Sequence, residues 1–153
     1  MANVDREGAR FALSKATPGS CPCQQEDATA AIAAIGSEDE TELLDDTHFR
    51  ICLRTCQSCR QVFLYVMTET IDWVDGEDPV QRVYFPVTPA QAAEIRRRKP
   101  QVDADLEALG LEGPYLLDDW PSKGPAVKVW QRGRLPVFVR VPRRGGNSVR
   151  PPG

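Results

Sequence analysis

From Phe49 onward apolar and polar positions alternate, with Phe49, Ile51 and Leu53 on one side of an extended chain and Arg50, Cys52 and Arg54 on the other. That period of two predicts a half-buried strand with Cys52 on its polar side. After a short break, Val62, Leu64 and Val66 oppose Phe63, Tyr65 and Met67. Apolar residues on both sides predict a central strand covered on both faces. Turn signals at Asp75-Gly76 and Asp78-Pro79 precede a third strand over Val80-Gln81-Arg82-Val83-Tyr84-Phe85. A three-stranded antiparallel sheet is the economical arrangement. Further on, Ala126 to Trp130 and Leu135 to Val141 predict a hairpin around Gly133, and Pro136 marks one of its strands as an edge.

Helical patterning fills the intervals. Ala28 to Ile35 favours helix, with Gly36 as its stop. Ser37 followed by Glu40 fits a capping box, so a short second helix anchored by Leu43 and Leu44 is expected. Thr88-Pro89-Ala90-Gln91 is a strong helix start, with a capping threonine, proline in the first turn and glutamine at the box position. That helix runs into Arg96-Arg97-Arg98, where three cations suit the negative end of the helix dipole, and Pro100 ends it. Val102 to Leu109 reads as another short helix stopped by Gly110. Three divisions follow: a flexible lead-in over residues 1–20, a single domain over 21–142, and a disordered basic tail over 143–153. The expected fold class is α+β, a small antiparallel sheet with flanking helices.

Composition adds limits. The 153 residues are 41% hydrophobic with a formal net charge of −3, which suits one domain with a modest core. The charges are segregated. Glu38 to Asp46 holds six acids and Glu69 to Asp78 five, with no base in either, whereas Arg96-Arg97-Arg98-Lys99 and the stretch from Arg132 to Arg150 are basic. Such blocks form solvated faces or electrostatic docking surfaces. No run approaches the roughly 18 apolar residues of a membrane span, and the N-terminus lacks the charged-then-apolar layout of a secretory signal. A cytoplasmic protein without membrane association is expected.

In a reducing cytoplasm five cysteines favour metal binding over disulfides, and their odd number argues against a complete disulfide framework. Cys56-Gln57-Ser58-Cys59 joins two β-favouring runs, so its turn presents two thiolates to one metal. Cys21-Pro22-Cys23 supplies a second tight pair. Cys21, Cys23, Cys56 and Cys59 therefore make a tetrahedral donor set for a zinc ion (Zn2+), with Cys52 or His48 as a substitute for one N-terminal ligand. Four thiolates leave no open position for a substrate, so this zinc is structural and ties the N-terminal segment to the sheet. Redox chemistry is the rival for the C-x-x-C. Such motifs are activated at a helix N-terminus, whereas this one opens into a strand.

Cys56 to Met67, together with Cys21-Pro22-Cys23, resembles zinc ribbons. It departs from their commonest pattern in the C-x-C pair and in the 32 residues between the pairs. The stretch from the C-x-x-C through Thr70-Ile71-Asp72-Trp73 to Thr88-Pro89 is similar to small uncharacterised bacterial proteins with a ribbon-like core. That resemblance carries no activity.

Function is left to the surfaces. Asp72, Trp73, Asp75, Glu77 and Asp78 form an acidic segment with one aromatic anchor, which suits a protein partner. A non-enzymatic adaptor, regulator or immunity-type protein follows from that surface. The alternative is a nucleic-acid-binding zinc ribbon using Arg96 to Lys99 and the basic tail. An enzyme gathering Asp72, Asp75 or His48 in a pocket is the third possibility. The acids lack calcium-loop spacing, and no glycine-rich phosphate loop is present.

Overall fold

The computed structural model describes residues 21–37, 41–71, 78–121 and 123–136. The expected lead-in over 1–20 and the basic tail over 143–153 lie outside them. A single 3-10 turn, Pro22–Gln24, leads into α1, Ala28–Ile35. Strands β1, Thr41–Asp46, β2, Phe49–Thr55, β3, Val62–Glu69, and β4, Val80–Val87, follow. Helices α2, Pro89–Arg98, and α3, Asp103–Ala108, then lead to β5, Glu112–Trp120, and β6, Val127–Arg134. The six strands form one antiparallel sheet in chain order. The sheet dominates, and α+β describes the fold only loosely.

Local rules account for the helices. Asp27 caps α1 by accepting from the backbone N–H groups of Thr29 and Ala30, and Gly36 leaves the helix at φ +62°. The expected box at α2 is present in both directions: Gln91 N–H donates to Thr88 Oγ1, and Thr88 N–H donates to Gln91 Oε1. Gly110, at φ +65°, closes the turn after α3.

Register sorts the side chains onto two faces. On one, Ile51 and Leu53 of β2, Leu64 and Val66 of β3, and Val83 and Phe85 of β4 pack with Ala92 and Ile95 of α2 and Leu106 of α3. On the other, Cys52, Tyr65, Tyr84, Leu116 and Trp130 stand opposite one another in a row across five strands. Ala28, Ala31 and Ile35 of α1 join the core on that side, together with Cys23 and Cys56. As expected, β3 is covered on both sides, with Phe63, Leu64, Tyr65 and Val66 all buried.

Four local expectations need correction. The residues around Leu43 and Leu44 form β1, not a second helix. Pairing with β2 outweighs the weak local helix signal, and the register shift between Glu42 and Leu44 lets both adjacent leucines bear on the core. The sheet has six strands, not three, and β5 was not foreseen because Gly113-Pro114 reads as a break. Pairing between β4 and β5 stops at Tyr84 and Leu116, so Pro114 lies where β4 needs no N–H from it. The hairpin around Gly133 is absent. Glycine accepts φ +151° there, and β6 continues straight through it to pair with β5, while residues 137–141 lie outside the described ones. Finally, Cys52 is not on a polar, half-open side: α1 covers it, and its exposure is 0%.

Candidate metal centre

The two cysteine segments meet at one end of the sheet. At the first, Gln24 N–H donates to Cys21 O at 2.8 Å, which closes the 3-10 turn and brings the Cys21 and Cys23 side chains to the same side. At the second, Arg60 N–H donates to Cys56 O and Cys56 N–H donates to Gln61 O, both at 2.9 Å. These bonds fold residues 56–61 into a knuckle between β2 and β3. Arg60 makes the reversal at φ +67°, a left-handed conformation that costs a side-chain-bearing residue about 1–2 kcal/mol. Gln61 braces the knuckle from below, its side-chain amide donating to Val87 O at 2.8 Å and to Val62 O at 2.9 Å.

The sulfurs of Cys21, Cys23, Cys56 and Cys59 all lie within 4.8 Å of one another. The closest contacts cross between segments, Cys21 to Cys56 at 3.3 Å and Cys23 to Cys59 at 3.4 Å. Four sulfurs bound tetrahedrally at about 2.3 Å from a metal stand about 3.8 Å apart, so these groups can close on one ion with small adjustments. Cys23 and Cys56 are buried, Cys21 is half-buried and Cys59 is exposed. None of the five cysteines is in a disulfide.

Crowding makes Cys21, Cys23 and Cys59 titrate unequally. Burial pushes Cys21 up to about 11. Cys23 is raised further, first because it donates its proton to Cys59 and then by burial. Cys59 is held down at about 5, chiefly by that bond from Cys23 and also by the Gln61 N–H. Cys59 thus takes the negative charge while Cys21 and Cys23 keep their protons. A divalent cation reverses this, because thiolates that repel one another become ligands that share its charge.

The other ligand candidates are elsewhere. Cys52 lies four residues before Cys56 on β2, beneath α1 and outside the cluster. His48 sits at the opposite end of the β2–β3 hairpin, where its Nδ1 meets Glu69 Oε1 at 3.0 Å. Asp72, Trp73, Asp75 and Glu77 lie outside the described residues, and Asp78 is half-buried just before β4. Arg97 and Arg98, from the basic cluster at the end of α2, both engage Glu94. Two supports of the centre carry no local signal in the sequence, the bracing Gln61 and a hydrogen bond from Trp130 Nε1 to Gln25 O at 2.8 Å. The latter ties the N-terminal segment to β6. No helix among the described residues is long and apolar enough to cross a membrane.

Comparison with protein-family models, curated proteins and solved structures finds no match. What the site can do is therefore read from its own geometry: the four-cysteine cluster can hold a metal ion.

Proposed function

We propose that this chain is a non-enzymatic cytoplasmic binding module, stabilised by a structural zinc ion on Cys21, Cys23, Cys56 and Cys59. The observation that carries this is the set of four sulfurs within 4.8 Å, a donor set complete without water or substrate. Tetrahedral sulfur sites take zinc or iron, and elemental mass spectrometry of the purified protein distinguishes them. One zinc per chain, lost in Cys21→Ser and Cys56→Ser, is the expected result. Absence of metal from freshly prepared, reduced protein would overturn it.

The binding surface we assign is the end of the sheet opposite the sulfurs. Asp45 and Asp46 of β1, Glu69 of β3, Asp78, and Asp119 of β5 are spread along that end, and Trp120, 50% exposed, closes β5 there. The connection carrying Asp72, Trp73, Asp75 and Glu77 leaves the sheet at Glu69 and rejoins it at Val80, at this same end. Acids around an exposed aromatic suit a basic segment of a partner protein, as an adaptor, regulator or immunity-type protein would use. A partner recovered with the wild type should be lost in Asp119→Lys and Trp120→Ala variants that still bind metal. Retention by those variants, with loss on changing Arg96 to Lys99, would favour nucleic-acid binding.

A further inference from the structure

The metal centre does more than hold the N-terminal segment. We propose that it is an oxidation site for two-electron oxidants such as hydrogen peroxide, which convert its sulfurs to two cross-segment disulfides, Cys23–Cys59 and Cys21–Cys56, and release the metal. This rests on the zinc reading above.

Three features of the geometry carry it. Cys59 is exposed whereas Cys23 and Cys56 are buried, so an oxidant in solvent meets Cys59 first. The partner nearest to Cys59 among the sulfur contacts is Cys23 of the other segment, at 3.4 Å, and the remaining two sulfurs are left together at 3.3 Å. Each pair needs to close by only about 1.3 Å to reach a disulfide bond length. The pairing is across segments in both cases, so each product bond joins the Pro22–Gln24 turn to the knuckle that the metal had joined.

The chemistry balances with peroxide as the only added reagent. The Cys59 thiolate attacks one peroxide oxygen. An S–O bond forms, the O–O bond breaks, and hydroxide leaves to be protonated to water. Cys59 is now a sulfenic acid. The Cys23 thiolate then attacks the Cys59 sulfur, forming the S–S bond and breaking the S–O bond, and a second hydroxide leaves. Two thiolates have lost two electrons in all, and one peroxide has been reduced to water. With Cys23 and Cys59 joined, only Cys21 and Cys56 would remain to hold a metal, too few donors to retain it. A second peroxide repeats the sequence on Cys21 and Cys56.

Cys52 is the internal control. It is a thiol of the same chain, but it lies under α1 at 0% exposure and outside the cluster. It should stay reduced throughout.

The test is peroxide titration of the zinc-loaded full chain. A chromogenic chelator follows zinc release, peptide mapping under non-reducing conditions identifies the bonds, and far-ultraviolet circular dichroism follows the fold. Expected are release of the bound zinc, a Cys23–Cys59 peptide appearing first and a Cys21–Cys56 peptide second, with the dichroism retained. Dithiothreitol and zinc should restore the starting state, and at limiting peroxide a sulfenic-acid trap should label Cys59 ahead of the other cysteines. A Cys56–Cys59 bond within the knuckle, bonds between chains, or zinc retained in excess peroxide would each overturn the proposal. If the purified chain carries no zinc, the zinc reading fails at the outset. Mapping of the reduced chain after peroxide then still decides the pairing, because that depends on the sulfur positions alone.

Discussion

On one face of the sheet two helices, α2 and α3, press Ala92, Ile95 and Leu106 into a continuous bed of branched and aromatic side chains, while on the other a single helix, α1, brings Ala28, Ala31 and Ile35 with Ile32 and Ala34 beside them. α1 and α2 each bury one isoleucine with small alanines, so the difference lies in number: α2 shares its face with α3, whereas α1 covers its side alone. What it has in addition is polar and local: the cysteine cluster at its N-terminal side and the Trp130–Gln25 hydrogen bond. The comparison teaches where a fold of this size would gain from a metal. One face has enough apolar surface to hold its helices. The other holds a single eight-residue helix, and the sulfur cluster lies beside its N-terminal end, where a bound metal would add an attachment.

The largest expected effect separates the faces directly. Chelation of the metal, or Cys56→Ser, should strip α1 from the sheet and cost on the order of several kcal/mol, since structural zinc contributes strongly to folding. Hydrogen exchange checks it: amides of residues 28–35 should lose protection while those of β3 keep theirs. Collapse of both together would mean the apolar face does not stand alone.

Acid should produce the next effect. Cys21, pushed up to about 11, and Cys23, raised beyond it, hold their protons at neutral pH and must release them to bind a metal. At least two protons therefore leave on binding, so affinity should rise with pH by at least about 100-fold per unit between pH 6 and 8. Competition with a chelator of known affinity measures the slope. A slope near zero would mean that the cluster is already ionised, contrary to its crowding.

Core truncation then distinguishes the two faces. Ile95→Ala should cost about 2–5 kcal/mol in denaturant unfolding and leave metal affinity unchanged. Ile35→Ala falls in the same range but should also weaken metal binding, because α1 and the Cys21–Cys23 segment are held as one piece. Equal effects on metal affinity would erase the distinction. The smallest change is Trp130→Phe, which removes the N–H donated to Gln25 O and should cost about 1 kcal/mol, read as a lowered melting temperature.

What the sequence disclosed follows the range of the interactions. The cysteine set is set out by two short motifs, and the Thr88–Gln91 capping box lies within four residues, so both were legible. The double-sided apolar run in β3 announced a covered strand. The elements that escaped depend on partners elsewhere in the chain. β1 is a strand because β2 pairs with it, and β5 tolerates Pro114 because its pairing with β4 has already stopped there. Cys52 looked half-open on its own strand because nothing within β2 shows that α1 lies over it. Gly133 reads as a turn, and only the glycine opposite it, Gly113, shows that the chain runs on.

Strand order equal to chain order has a consequence for synthesis on the ribosome. Each strand can pair with the one before it as soon as it emerges, so the sheet can assemble in the direction of translation. The segment of residues 21–25, made before all six strands, is the exception. Its hydrogen bond to Trp130 spans 105 residues, roughly 5–20 s of elongation at typical rates of about 5–20 residues per second. During that interval Cys21 and Cys23 wait for the knuckle and then for β6. A segment made before every strand is thus locked after all of them, and under the proposed zinc reading the supply of metal during those seconds becomes part of how the protein matures.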